Sequence, residues 1–260
     1  MFLVLLKLIV AIFSIFSMSI SVDASSLSSP LLIKSDARCP YVCDLNSDKP
    51  GYMVEIIRMI FTKKGQPIEL RTTNWARAVN EVRANKADAL LGATKEDAPE
   101  LIFPDSPLGQ AHRYFFIHKN ANWSYRGRAS LQSRRVGVVN GHTYGQPISE
   151  LIHSKHKSII TFSGSNPLQQ ILKMMESGRL DAFIEDPVIL KQALSKQEIE
   201  SFLKSDGTKG ISSSALNIAF SPKHPQAEQF AKWINQGVQE LRQSGQLQDI
   251  LDKYNLVDWE

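Results

Sequence analysis

The sequence predicts an α/β protein made of two units, each a mostly parallel sheet flanked by helices. Apolar runs of strand length alternate with segments of helical periodicity, and this alternation occurs twice, before and after a β-rich segment. Of the 260 residues, 43% are apolar and 22% are charged, which is typical of globular proteins and provides enough chain for one large or two small cores. The repeated alternation favours two.

The first unit begins with a helix in the segment GYMVEIIRMIFTKKG. Its apolar residues recur at helical spacing, and a glycine ends it. These apolar residues are Met53, Ile56, Ile57, Ile60 and Phe61. The strand PIELRTT, a helix over 75–84 and the short apolar strand ADALLGA follow, and such alternation predicts a parallel sheet.

The second unit repeats the alternation. It contains the strands RRVGVV, SIITF and DAFIE, and helices over 144–154, 167–177 and 187–194. The β-rich segment HRYFFIHK leads into this unit, and the strand LNIAF follows it, ahead of a long helix and a short last helix. Open α/β sheets bind ligands outside the carboxyl ends of their strands, so two such units facing each other would form a cleft.

The N-terminus, residues 1–24, has the pattern of a signal peptide. Lys7 is its only base, an apolar run follows, and small residues precede Ser25, where we expect the mature chain to begin. An uncleaved membrane anchor is the alternative, because the segment is almost long enough to span a bilayer at roughly 20 residues. In both cases the domain is exported, and we expect it in the periplasm or outside the cell.

The charge pattern argues against a nucleic-acid partner. The formal net charge is only +4, and lysines and arginines are scattered among acids rather than massed. The sequence also lacks a Gly-x-Ser-x-Gly turn, a His-Glu-x-x-His helix and a phosphate loop. We therefore predict no catalytic residue, no metal and no cofactor.

Two cysteines, Cys39 and Cys43, lie close together in the segment RCPYVCD. Export to an oxidising compartment favours a disulfide, and Pro40 could help turn the chain to close so short a loop. The residues alone leave the unpaired alternative open. A zinc site would need further ligands at matching spacing, and none is evident in the sequence.

Five segments in succession resemble one known family. They are PGYMVEIIRMIF, ADALLGAT, RVGVVNGHTYG, ESGRLDAFIEDPVI and LNIAFSPKHPQAEQFAKWINQGVQELRQSGQLQDILDKY. Their order and spacing resemble the extracellular solute-binding proteins of family 3, the polar amino-acid group that serves ABC transporters. The resemblance spans 39–254 and implies a two-lobed clamp with two hinge crossings. It places lobe one at 25–110 and 220–260, lobe two at 117–215, and the hinge at 111–116 and 216–219.

The resemblance implies ligand-binding residues in lobe one. Tyr41 and Trp75 match positions where aromatic side chains line the pocket, although packing within lobe one is the alternative for each. Gly92 and Thr94 match a loop where a backbone carbonyl and a hydroxyl meet the ligand's amino and carboxylate groups.

In lobe two, the segment NGHTYG follows a strand and opens a helix. The amides of Gly141, His142 and Thr143 could hold an anion at the positive end of that helix, or Thr143 could simply cap it. By the resemblance, Asp186 matches the acid that pairs with the ligand's amino group. Glu185 is the alternative, because neighbouring side chains of a strand point to opposite faces and only one is expected to reach the cleft.

One departure from the family pattern concerns the ligand. Amino-acid binders of the family carry an arginine after the threonine loop that clamps the ligand's carboxylate, whereas this sequence has Asp97 or Pro99 there. Arg77, two residues past Trp75, could replace the missing charge. Alternatively, the ligand is cationic or peptide-like and the acids of 96–105 attract it, unless those acids simply face water.

These residues support three hypotheses about function. The leading one is a periplasmic protein that closes over one small polar, amino-acid-like solute and passes it to the membrane permease of an ABC transporter. A clamp that reports its ligand to a membrane sensor is the second. A periplasmic dehydratase, with His142 as acid or base beside Asp186, is the third. We expect a monomer, and the identity of the ligand stays open.

Overall fold

The fold was analysed in a computed structural model, which describes residues 29–208 and 210–260. The predicted signal peptide, 1–24, lies outside the described residues. Within the described ranges, no helix combines the length and the apolar character that a membrane crossing requires.

Strands and helices alternate along the chain. In chain order, the strands are β1 (Leu31–Ser35), β2 (Ile68–Thr72), β3 (Ala89–Ala93), β4 (Gly109–His118), β5 (Val136–Val139), β6 (Ile159–Phe162), β7 (Ala182–Glu185), β8 (Leu203–Ser205) and β9 (Ser212–Phe220). The helices are α1 (Tyr52–Lys63), α2 (Trp75–Arg83), α3 (Ile148–His153), α4 (Pro167–Glu176), α5 (Pro187–Ala193), α6 (Lys196–Phe202), α7 (Ala227–Gln243) and α8 (Gln246–Asp252).

The strands are divided between two lobes. In lobe one, β1 pairs in parallel with β2 and β3, and β9 joins β3 antiparallel. In lobe two, β5 pairs in parallel with β6 and β7, β4 joins β7 antiparallel, and β8 pairs with the other side of β4. Each lobe is therefore built on a mostly parallel sheet, as the alternation predicts.

The strands β4 and β9 connect the two lobes. Their segments 109–113 and 212–216 pair with each other in an antiparallel ladder. Beyond that ladder, β4 continues into lobe two beside β7, and β9 continues into lobe one beside β3. The predicted crossings, 111–116 and 216–219, fall within these two strands, while the predicted lobe limits stay a prediction.

Helices cover both faces of each sheet. In lobe one, α1, α7 and α8 pack on one face around Phe61 and Phe230, and α2 packs on the other around Val79. All five apolar residues predicted to form one face of α1 are buried. In lobe two, Ile148 of α3 and Ile171 of α4 belong to separate cores on opposite faces.

Some elements differ from the sequence prediction. Helix α3 begins at Ile148 rather than at 144, because the preceding loop turns the buried Tyr144 back against β5, where its hydroxyl accepts from the amide of Val139 at 2.8 Å. Helix α6 was not predicted, since it buries none of its residues and instead begins with a capping box formed by Ser195 and Glu198. The short strand β1 was not located either.

Candidate functional site

A cavity of about 540 Å³ lies between the two lobes. Lobe one contributes the segments that follow β1 and β2, and lobe two contributes those that follow β5, β6 and β7. These are the carboxyl ends of parallel strands, where ligands of α/β proteins bind. The volume is within the range of small-molecule sites.

Four polar side chains form a hydrogen-bonded chain along this cavity. Asp36 and Arg38 come from lobe one, and His142 and Glu185 come from lobe two. His142 places Nε2 3.0 Å from Asp36 Oδ2 and Nδ1 3.4 Å from Arg38 Nη1. Arg38 Nη2 donates to Glu185 Oε1 at 3.0 Å. Because a guanidinium only donates, Nδ1 accepts and Nε2 carries the proton, so a neutral imidazole satisfies both neighbours.

Charge pairing sets the protonation of this chain. Burial raises the pKa of Asp36, but the contacts with His142 and the charge of Arg38 outweigh it and hold that pKa below its usual range. Burial lowers the pKa of Arg38, but Glu185 and Asp36 outweigh it and raise that pKa further above its ordinary value. Lobe one therefore presents two opposite charges, those of Asp36 and Arg38, to lobe two.

Trp75 forms part of the cavity wall and of the core of lobe one. Its ring stacks on the imidazole of His142, with centroids 5.1 Å apart and planes inclined by 8°. The residue is 2% exposed and packs beneath β3 with Val79 and Leu90. Its indole Nε1 is buried without a hydrogen-bond partner among the described residues. Trp75 thus lines the cavity and also packs in the core of lobe one, and its contact with a ligand stays a prediction.

Tyr41 and Asp186 join the lobes at a second point. The Tyr41 hydroxyl donates to Asp186 Oδ2 at 2.8 Å, and burial together with the nearby carboxylate raises the pKa of Tyr41 well above its usual value. Asp186 also accepts from the amides of His112 at 2.7 Å and of Val188 at 2.9 Å, the latter as the N-cap of α5. Both acids at the end of β7 therefore contact lobe one, but only Glu185 lines the cavity.

Thr94, Asp97 and Thr143 form a third contact between the lobes. Asp97 Oδ2 accepts from the amide and the hydroxyl of Thr94, both at 3.0 Å. Asp97 Oδ1 accepts from the hydroxyl of Thr143 in lobe two, also at 3.0 Å. Asp97, one of the two residues predicted to stand where the family has its arginine, thus binds the two threonines predicted to meet the ligand.

Two further predicted residues lie away from the cavity wall. The side chain of Arg77 is 67% exposed and pairs with Glu81 one turn along α2, at 2.7 Å. Gly92 has a φ of +85° at an irregularity in the pairing of β3 with β9. Their roles in ligand binding stay predictions.

A disulfide joins Cys39 and Cys43, with the sulfurs 2.02 Å apart. Next to the disulfide, Arg38 and Val42 each donate a backbone amide to the carbonyl of the other. The loop carries both Arg38 and Tyr41 toward lobe two, and Cys39 itself lines the cavity. In the part of the chain that the structure describes, no group of His, Cys, Asp and Glu is arranged to hold a metal ion.

A family model described as bacterial extracellular solute-binding proteins, family 3, matches residues 35–257. The chain belongs to this family. The matched range contains all of lobe two, lobe one from the end of β1 onward, and every contact between the lobes described above.

Two curated relatives of this family-3 protein are similar over most of its length. The L-cystine-binding protein TcyA of Bacillus subtilis (strain 168) is 22% identical over 226 residues, which cover 81% of this chain and 75% of the relative. The probable histidine-binding protein of Neisseria gonorrhoeae is 29% identical over 220 residues, which cover 81% of this chain and 76% of the relative.

A solved structure confirms the fold. It is a histidine kinase sensor domain with similarity to periplasmic binding proteins, and it matches with a TM-score of 0.71 at 17% identity, covering 87% of this chain and 96% of that chain. At this identity the likeness concerns the fold alone. The predicted two-lobed clamp is therefore the fold of this family-3 protein.

The sequence analysis missed three charged residues at or near the site. Asp36 and Arg38 stand at the carboxyl end of β1, and that position was the available signal, but β1 itself was not located. Arg113 is 5% exposed and lies over the ring of Tyr144, 5.6 Å from its centroid. Its Nη1 is buried and has no partner among the described residues, and it does not line the cavity.

Proposed function

We propose that this protein binds one small polar solute, amino-acid-like or related, in the cavity between its lobes and delivers it to an ABC-type permease. The observation that carries the proposal is the cavity itself, whose wall is a hydrogen-bonded chain contributed by both lobes. A site divided in this way is complete only when the lobes meet. Ligand that contacts both halves therefore stabilises the closed arrangement over the open one.

The relatives support a small ligand that carries an amino group. The names of the two curated relatives specify L-cystine and histidine, and both molecules carry amino and carboxylate groups. The charges along the cavity, Arg38 against Asp36 and Glu185, suit a small polar or charged molecule better than an apolar one. Export by a cleaved signal peptide and action in the periplasm as a monomer belong to the same proposal.

The test is thermal unfolding of the purified protein against amino acids, amines, short peptides and organic acids. A ligand at one hundred times its dissociation constant adds about 2.7 kcal/mol, which raises the midpoint by roughly 5–10 °C for a protein of this size. Such a shift for one chemical class is the expected result. No shift with any class would contradict solute binding.

Two arginine variants test whether the ligand binds in this cavity. Arg38→Met removes the only guanidinium that lines the cavity among residues 29–208 and 210–260, and we expect it to abolish the ligand-induced shift. Arg77→Met removes an exposed arginine and its pair with Glu81, and we expect the shift to persist. If Arg77→Met abolished the shift and Arg38→Met did not, Arg77 would be the arginine that binds the ligand.

A sensory role is the second candidate. The matching sensor domain has the same fold, so the clamp is compatible with reporting a ligand as well as with delivering it. Uptake of the identified ligand by cells with and without the gene separates the two, because only delivery to a permease requires the protein for uptake.

A dehydratase activity receives less support. Both ring nitrogens of His142 are engaged, one by Asp36 and one by Arg38, so in this arrangement neither is available to a substrate proton. The curated relatives reported above are binding proteins. Incubating the identified ligand with the protein and analysing it for dehydration tests this candidate.

A further inference from the structure

We infer that the solute is a cation without a carboxylate group, such as an amine or a guanidinium compound, because the cavity lining carries more acid than base and Asp97 already occupies three donors between the lobes next to the cavity. This inference rests on the proposed function and names the ligand class of the same site. Asp97 is then a specificity-determining residue.

The carboxylate of Asp97 accepts three hydrogen bonds from the two lobes. One of its oxygens accepts from the amide and the hydroxyl of Thr94 in lobe one, and the other accepts from the hydroxyl of Thr143 in lobe two. Three donors from two lobes around one carboxylate form an anion site, and the chain fills it with its own side chain. None of these three residues lines the cavity itself, but Thr143 directly follows His142, which does.

A local turn explains only half of this arrangement. The amide of Asp97 also donates to the hydroxyl of Thr94 at 3.3 Å, so these two residues close a reciprocal turn of the kind seen at helix starts. That turn uses Oδ2 alone. The bond from Thr143 to Oδ1 crosses between the lobes, which the turn does not require.

The guanidinium of Arg38 is already paired within the protein. Arg38 is the only lysine or arginine among the described residues that line the cavity. It already donates to Glu185, and its charge also acts on Asp36. A ligand carboxylate would therefore have to compete with two carboxylates of the protein for one cation.

The side chains that line the cavity include more acids than bases. Two carboxylates, Asp36 and Glu185, line the cavity against one guanidinium, Arg38. A cation entering this low-dielectric space is attracted, and an added carboxylate is repelled.

Arg113 is the rival anchor for a carboxylate, because it is buried and its Nη1 has no partner among the described residues. Its guanidinium, however, lies against the ring of Tyr144 and outside the cavity lining. In this arrangement it is not presented to a ligand in the cavity.

The experiment uses matched pairs of probes that differ only by a carboxylate. The pairs are agmatine and arginine, 1,5-diaminopentane and lysine, and histamine and histidine, each titrated into the purified protein by calorimetry. We expect the decarboxylated member of at least one pair to bind at least tenfold more tightly than its amino acid. This result needs no variant, so it does not depend on how a substitution affects folding.

The Asp97→Asn variant tests the residue itself. The amide keeps the size of the side chain but removes its charge and one acceptor oxygen, so the donors around it become available. We expect the preference within the binding pair to fall by about tenfold, mainly because the amino acid binds more tightly. Glu96→Gln, at an exposed neighbour, is the matched control and should leave the preference unchanged.

The outcomes separate this inference from the proposed function. Tighter binding of the amino acid in a pair, or binding of neutral or acidic solutes only, would overturn the inference while solute binding stands. No binding of any probe, neutral and acidic solutes included, would contradict both. A preference for the amine that Asp97→Asn leaves intact would overturn the role of Asp97.

Discussion

At the scale of single residues, Gly141 decides how closely the lobes approach. Its φ is +86°, and a Cβ at this position would lie 3.0 Å from the Cβ of Ala76 on α2. We predict that Gly141→Ala leaves the protein folded but lowers ligand affinity at least tenfold, because the two lobes no longer meet as closely. Calorimetric titration of the identified ligand measures the change.

The control for Gly141 is Gly178. Its φ is +69°, so an added Cβ meets similar backbone strain, roughly 1–3 kcal/mol, but nothing lies within 4 Å of it. Gly178→Ala should lower the unfolding midpoint and leave affinity unchanged. Equal losses of affinity in both variants would mean that strain, and not the contact with Ala76, is responsible.

Asp36 makes the stability of the folded protein depend on pH. Its pKa in the folded protein lies below the usual value, because the effects of His142 and Arg38 outweigh burial. The stability that Asp36 contributes is therefore fully present above its unfolded pKa of about 3.9 and is lost as the pH falls through the lower folded value. We predict that Asp36→Asn flattens the loss of stability below about pH 4, and chemical denaturation at several pH values measures it. An unchanged pH profile would contradict this.

Sequence reasoning reached part of the site at this scale. Trp75 and His142 were singled out, and both line the cavity, because one opens a helix and the other follows a strand in recognisable segments. Arg38 was missed, since its position depends on Glu185, 147 residues further along the chain. Asp97 was noticed as a departure, but the sequence did not reveal that its carboxylate bonds to Thr143.

At the scale of elements, the helices with strong apolar faces were predicted well and those without them were not. Helix α1 buries one continuous face, and its periodicity located it. Helix α6 buries no residue, and the loop before α3 depends on the tertiary contact between Tyr144 and Val139. Periodicity reports burial along one element, so it does not detect structure that depends on contacts with another.

The packing of α1 on α7 gives a prediction at this scale. A Cβ at Gly237 of α7 would lie 2.5 Å from Cγ1 of Ile60 on α1, so Gly237→Ala overpacks the contact. We expect a loss of roughly 1–3 kcal/mol in the free energy of unfolding, even though alanine favours a helix over glycine. Chemical denaturation measures the loss.

A second variant identifies the cause. Ile60→Ala removes the branched side chain that Gly237→Ala would meet, so the double variant should be more stable than the sum of the two single losses indicates. Additive losses would mean that the two positions do not interact, and would contradict the packing argument.

At the scale of the whole molecule, the two lobes are joined by β4 and β9 and meet again across the cavity. The backbone ladder between 109–113 and 212–216 joins the lobes directly, and among the described residues side-chain contacts such as Arg38 with Glu185 and Tyr41 with Asp186 join them across the cavity. The backbone connection survives opening and the side-chain contacts do not. We therefore expect the balance between an open and a closed form to depend on these polar pairs, together with the stack of Trp75 on His142 and the packing of Ile189 against lobe one.

The pair of Arg38 with Glu185 provides the last prediction. The two side chains are only 16% and 5% exposed, so Arg38→Met leaves Glu185 buried in the closed form without its partner. Breaking a buried pair in this way costs about 3–5 kcal/mol, and opening removes that cost by returning the carboxylate to water. We expect Arg38→Met to shift the ligand-free protein toward the open form, seen as a larger radius of gyration in X-ray scattering.

The double variant Arg38→Met with Glu185→Leu distinguishes charge from contact. Replacing both members with apolar side chains removes the uncompensated charge, and such replacements of buried pairs are often neutral or stabilising. The double variant should therefore return to the compact radius, although it loses the ligand. Arg58→Met, at an exposed arginine on α1, should stay compact throughout. Equal opening of the single and the double variant would contradict this explanation. The lobes would then be held by the hydrogen-bonded chain through His142, and not by the pairing of the buried Glu185 carboxylate with Arg38.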